Sequence, residues 1–242
     1  VTNIKDFGAF LASRRTTRDF LPTPIDAKVI EDLITDGLTA PSWSNTRPYL
    51  VAVASGDVRD RISADMMRRA VVLTGFRIGS LADKIKFLLT PKAWPISDFN
   101  MLKAYPVELQ PRARKVGKEL YGLIGVPRGD KQAREAQWMK NYQFFGAPVE
   151  LFVFVHKGLG MFAANDAGLF SENLMLSAHA RGLGTCAQGA AALWADAIRR
   201  EFKVPAGYKL LYGIAVGYPS EALINTFGAE RISAADITMP LT

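Results

Sequence analysis

The chain is poor in the residues that usually carry chemistry. It has one cysteine, Cys186, so no internal disulfide can form and no CxxC pair is present. Its two histidines, His156 and His179, have no second histidine near them at metal-ligand spacing. No apolar run approaches the roughly 18 residues that a membrane span requires. The opening stretch VTNIKDFGAF lacks the charged flank and apolar core of a secretory leader. There is no GxGxxG turn after a strand, no GxxxxGK[ST] phosphate loop and no GxSxG elbow. These absences argue against a disulfide scaffold, a histidine metal site, a P-loop enzyme and an elbow-type hydrolase. They leave a cytoplasmic protein with no membrane segment as the expectation.

What is present is a chain of 242 residues, 49% hydrophobic, enough for one domain with a full core and an insertion. The net charge is +7, and it is unevenly spread. Residues 84–140 hold twelve Lys and Arg against five Asp and Glu, and the rest of the chain is balanced. No zinc-finger spacing, basic zipper or aromatic RNP-like strand accompanies this patch, so nucleic acid is not the expected partner. A solvated face or a pocket for small anions fits better, with Arg112, Arg114 and Lys115 as its densest point.

The hydrophobic pattern predicts helices over residues 4–14 and 27–38, the second capped by Asp26. A strand follows over 49–55, read as buried on both faces, and a helix over 57–70. The segment 84–140 is irregular, with helical turns near 112–124 and 130–141, and reads as an insertion covering something. A strand over 147–155, a long helix over 163–181 ending at Gly182, a short helix over 194–202 and a strand over 208–219 complete the chain. The order gives an α+β fold with few strands and much helix. His179 reads as structural, and Cys186 as a small buried hydrophobe with no cationic neighbour to make it a thiolate.

One cluster stands out. In SRRTTRDF, Arg14, Arg15 and Arg18 crowd together with Thr16 and Thr17 between them. Guanidinium forks bind phosphates and planar polar edges bidentately, although arginines also favour a solvated helix end. Three further segments follow in order: APSWSNTRPY, GLGTCAQGA after the long helix, and VGYPSEALINTFGAER. Together the four resemble the FMN-dependent nitroreductase family, and the stretch YGLIGVPRGDKQAREAQWMKNYQFFGAPV resembles its long-insertion bacterial branch.

The resemblance implies a central, mostly antiparallel sheet surrounded by helices in an intertwined homodimer, with residues 1–242 as one FMN-binding domain and 84–140 as a lid. It implies that Arg14, Arg15, Thr16 and Arg18 grip FMN. Pro41, Ser42, Trp43 and Asn45 belong to a loop offered by the other subunit, with Arg47 where Gln is usual and Tyr49 where Trp is usual. Gln188 and Gly189 lie against the flavin, and Asn141 bonds its edge. Arg231 reaches the phosphate; its usual basic partner is missing, since Gly228 and Ala229 stand there. Trp43, Tyr105, Tyr142 and Phe144 are the expected acceptor-binding aromatics. The implied reaction is two-electron, ping-pong reduction of nitroaromatics by NADPH or NADH, giving nitroso and then hydroxylamine products. Quinone or enone reduction, reductive dehalogenation and non-enzymatic FMN binding remain as alternatives on the same fold.

Overall fold

The computed structural model describes residues 4–240, and among them four strands form one antiparallel sheet between two apolar cores. The strands are β1 (Tyr49–Ser55), β2 (Val149–His156), β3 (Gly184–Gln188) and β4 (Tyr208–Gly217), in the spatial order β1-β2-β4-β3. Alternation along β2 explains both cores, because successive side chains point to opposite faces. Val149, Leu151, Val153 and Val155 meet helices α2 (Ala27–Gly37) and α7 (Met161–Ala180), through Leu33, Phe170 and Leu174. Phe152 and Phe154 face the other way, toward α3 (Gly56–Ile78) and the segment 190–198. Nearly every β2 residue is buried, as expected of a central strand.

Helix signals were mostly legible. Asp26 caps α2 by accepting the Lys28 N–H at 2.8 Å. Helix α7 ends in a Schellman turn: Gly182, at φ 72°, donates to His179 O, and Leu183 donates to Ala178 O at 2.9 Å. The first helix, α1 (Ile4–Ser13), forms where its pattern predicts, but its apolar face is not buried within one chain, since Phe7 is 50% and Leu11 42% exposed. Strand β1 also differs from its reading. It is an edge strand whose Leu50 and Val53 reach solvent.

The 84–140 region is more ordered than its composition suggests. A helix over Leu81–Leu88, α4, was not predicted; it starts at a Ser80/Asp83 capping box and packs on α3 through stacked Phe76 and Phe87. Helices α5 (Gln110–Leu123) and α6 (Lys131–Met139) follow, and α8 (Ala195–Arg199) lies after β3. Arg69 of α3 is buried and forks onto Asp196 of α8 at 2.9 and 2.8 Å, which ties the two helices together. No helix among the described residues is long and apolar enough to cross a membrane.

Candidate functional site

The arginine cluster forms a turn laid along the outer edge of β3. Thr17 N–H donates to Thr185 O at 2.9 Å, and Thr16 pairs in parallel with Thr185. The approach is close because residue 184 is a glycine: a Cβ there would overlap Thr17 Oγ1 and lie 2.8 Å from its Cβ. Asn225 clamps the turn from the other side, accepting Arg18 N–H at 2.8 Å and donating to Asp19 O at 2.8 Å. Ser13 and Phe10 hold His179, with Ser13 Oγ 2.6 Å from its Nε2, so this histidine pins the end of α1.

The backbone is thus fixed while the guanidinium groups fan out. Arg14 Nε lies 3.4 Å from Glu172. Arg15 Nη1 donates to Thr226 O at 3.0 Å and fills the space that Gly228 leaves open. Burial raises the Tyr121 phenol and the Cys186 thiol, and the charge of Arg18 opposes this only in part. Burial still pushes that thiol up to about 12, so Cys186 is an inert core group.

At the inner end of β3, Gln188 is buried, and its Nε2 donates to Asn141 O at 3.0 Å and to Asn141 Oδ1 at 3.3 Å. Asn141 in turn donates to Trp138 O at 2.8 Å. The Gln188 Oε1 atom is buried with no partner. Beside it, a Cβ on Gly189 would meet only the tip of Met101, a side chain able to move aside.

The loop Pro41–Pro48 lies elsewhere. Asp166 of α7, itself buried, accepts Trp43 N–H at 2.8 Å, and Ser42 Oγ accepts Arg47 N–H at 3.1 Å. Ser44, Asn45 and Arg47 all have positive φ, a strain of about 1–3 kcal/mol each that the surrounding bonds must offset. Trp43 is 53% exposed and rests on Phe162 at 4.2 Å between ring centres. Among the described residues, no hydrogen bond or ion pair joins this loop to residues 14–18. Its anchor, Asp166, stands six residues before Glu172, the partner of Arg14, about 9 Å along α7 at 1.5 Å per residue.

A cleft of about 590 Å³ opens between α3, α5 and α6, walled by Tyr105, Tyr121 and Trp138 with Arg77, Lys131 and Arg134 at its rim. Tyr105 is therefore on a ligand-sized surface. Tyr142 and Phe144 are not, which corrects their expected role. Tyr142 is 1% exposed against Trp194, and Phe144 is fully buried against Phe152. Their rings fill the core beside the cleft and leave no face for an acceptor. The basic residues picked out in the sequence also serve another purpose. Lys115 pairs with Glu119 and Glu230, Arg114 donates to Gln110 at 2.7 Å, and the charge of Arg112 acts on Asp236. Lys115 thereby fastens the C-terminal segment to α5, while Arg114 bonds within the helix. Arg231 sits within that segment, exposed, donating to Ala229 O at 2.8 Å.

The structure therefore brings Arg14, Arg15, Thr16 and Arg18 alongside β3, which carries Gln188 at its other end, bonded to Asn141 of the segment before β2. It keeps Pro41, Ser42, Trp43 and Asn45 apart from them. Sequence reading missed Thr185, Asn225 and Asp166, which hold these pieces in place. The donor set fits FMN: guanidinium groups and a threonine hydroxyl suit a phosphate, and an unpartnered buried amide oxygen beside a glycine suits a planar ring with polar edges.

The nitroreductase family model matches residues 11–75 and 88–218, and the chain belongs to that family. The unmatched interval, 76–87, covers the end of α3 and most of α4. The chain is 32% identical over 236 residues to a 4-nitrobenzoate reductase of Pseudomonas putida, covering 96% of this chain and 94% of that protein. It is 26% identical over 216 residues to a nitrobenzene nitroreductase of Ectopseudomonas oleovorans, covering 88% and 86%. Its fold matches the FMN-dependent nitroreductase NfnB of Mycobacterium smegmatis, solved in complex with NADPH, at a TM-score of 0.82 and 26% identity over 99% of each chain.

Proposed function

We propose that the protein is an FMN-dependent NAD(P)H oxidoreductase that reduces nitroaromatic compounds as a homodimer, from one domain in which residues 84–140 cover the reaction site. The observation that carries this reading is the clamped arginine turn on β3, whose far end presents the buried Gln188–Gly189 corner, in a chain of the nitroreductase family. When bound, FMN supplies the hydride transfer that takes a nitro group to nitroso and then to hydroxylamine with NAD(P)H as donor.

The chain's own residues bind and orient. Arg14, Arg15, Thr16 and Arg18 supply charge-assisted donors for the phosphate and a ring edge, with Arg231 as a further cation. Gly189 permits close backbone approach, and the Asn141–Gln188 pair fixes the amide that faces the ring. The fixed guanidinium charge favours negative charge developing beside it, since preorganised donors need no rearrangement. Among the described residues the loop Pro41–Pro48 makes no hydrogen bond or ion pair with its own chain's arginine turn, and on this reading it completes the site of the partner subunit. The exposed Phe7, Leu11, Trp43, Leu50 and Val53 supply apolar surface for that contact.

Anaerobic stopped-flow mixing tests the reading. The purified protein should carry one FMN per chain, bleach rapidly with NADPH or NADH and regain colour with a nitroaromatic. Slow bleaching with both donors would make it a flavin-binding protein without this activity. Recovery with quinones but not with nitro compounds would assign it the other reductase chemistry of the fold.

A further inference from the structure

The cleft between α3, α5 and α6 has an unbalanced charge. Arg77 at its rim is neutralised by Glu135, at 3.1 Å. Lys131 and Arg134 line the same cleft, and among the described residues neither has a carboxylate within ion-pair distance. Arg134 is nonetheless held in place, its guanidinium 5.3 Å from the centre of the Tyr121 ring. The remaining wall is aromatic: Tyr105, Trp138 and Tyr121 itself. An oriented fork above flat π-surfaces, with an ammonium nearby, matches a planar ring that bears one anionic group.

The cleft also adjoins the cofactor residues. Trp138 forms its wall and gives its carbonyl to Asn141, which bonds Gln188. A volume of about 590 Å³ lies within the usual range for small-ligand sites. Glu135, one residue beyond Arg134, opposes a dianion more than a monoanion, which favours a carboxylate over a phosphate monoester.

We propose that this cleft is the acceptor subsite and that Lys131 and Arg134 receive the carboxylate of an aromatic acid, making nitroaromatic carboxylates the preferred acceptors. The proposal rests on the nitroreductase reading and adds the substrate class. A neutral nitroaromatic would gain only the stacking; the carboxylate adds a bidentate, charge-assisted contact.

The test uses the FMN-loaded protein, with benzoate as a non-reducible probe and 4-nitrobenzoate and nitrobenzene as substrates. Calorimetry or quenching of tryptophan fluorescence should show benzoate binding that benzyl alcohol does not reproduce. Arg134→Gln and Lys131→Gln should each weaken benzoate about tenfold or more, and lower the kcat/KM ratio of 4-nitrobenzoate to nitrobenzene by a similar factor. Both side chains are exposed, so the fold should tolerate either change. Equal binding of benzoate and benzyl alcohol by the unmodified protein would overturn the proposal, as would an unchanged ratio in both variants. A raised KM for NADPH with the ratio unchanged would also overturn it, by giving the cleft to the phosphate of the donor. If the unmodified protein reduces neither nitro compound, the enzymatic reading fails, and the benzoate measurements still decide what the cleft binds.

Discussion

Replacing Glu150 with Gln should remove a pH-dependent loss of stability that the unmodified protein shows as pH rises above the ordinary carboxylate range. Glu150, the second residue of β2, has no solvent exposure, and neither carboxyl oxygen has a hydrogen-bond partner. Small neighbours make room for it. Ala54 and Ala215 flank it in the ladder, and a Cβ on Gly213 would overlap Oε1 and lie 2.9 Å from the Cβ of Ala191. Burial holds the acid well above the usual carboxylate range, and the charge of Arg59 offsets this only in part. The folded protein keeps the proton while the unfolded chain releases it above about pH 4.3. Between those two pKa values the unfolded state binds fewer protons, so stability falls as pH rises. The slope approaches about 1.4 kcal/mol per pH unit wherever the folded state keeps the proton and the unfolded chain has lost it, which is appreciable against a typical stability of about 5–15 kcal/mol. Asp36 and Asp196 have lowered pKa values, so their contribution is lost only at acid pH, below this window. The amide of Gln is similar in size and has no proton to release. Urea unfolding at pH 5, 6, 7 and 8 with saturating FMN should give a falling midpoint for the unmodified protein and a flatter one for Glu150→Gln. Groups common to both proteins cancel in the difference. Parallel curves would refute the reasoning, because Glu150 would then have the same charge in both states.

Gly184→Ala should drive Thr17 away from β3 and displace the arginine turn, so FMN affinity should fall together with thermal stability; full flavin retention would show that the turn is held by Asn225 alone. Arg231→Ala should weaken FMN about tenfold to 150-fold, read by titrating apo-protein, because its usual basic partner is absent; unchanged affinity would leave the phosphate to Arg14, Arg15 and Arg18. Light scattering should give a dimer, and dilution that dissociates it should release flavin, since the Pro41–Pro48 loop would leave with the partner; a monomer that keeps FMN tightly would oppose the shared site.

Local signals with a single outcome were readable in the sequence. Asp26 before an apolar period, and Gly182 after one, marked the ends of α2 and α7 because caps act on neighbouring residues. Helix α4 escaped because Leu81–Leu88 sits between Gly79 and Pro91 in a stretch whose composition suggests irregular chain. The exposure of β1 escaped because an apolar run does not reveal whether a strand has neighbours on one side or two. In the site, the arginines announced themselves by their density. Their supports did not: Asn225 lies 207 positions from Arg18, and Asp166 lies 123 positions from Trp43. Tyr142 and Phe144 show the converse limit. An aromatic residue beside a site fills core and pocket equally well in sequence, and only the packing of Tyr142 on Trp194 and of Phe144 on Phe152 decides between them.

Helix α7 explains how a chain with so few reactive side chains can build a site. Near its start, Asp166 fixes the strained Pro41–Pro48 loop; along its length Glu172 meets Arg14, and near its end His179 meets Ser13. One rigid element therefore sets the positions of both cofactor-motif groups, and its buried face of Ala163, Ala167, Phe170 and Leu174 locks it onto the sheet. On the proposed reading neither group needs a titratable catalyst, because each would contribute a direction: a guanidinium on one side, a backbone amide or an exposed tryptophan on the other. A helix cannot bring its own ends together. Two such helices related by a twofold axis can place the loop of one beside the turn of the other, and precision then follows from packing α7 rather than from any single polar contact.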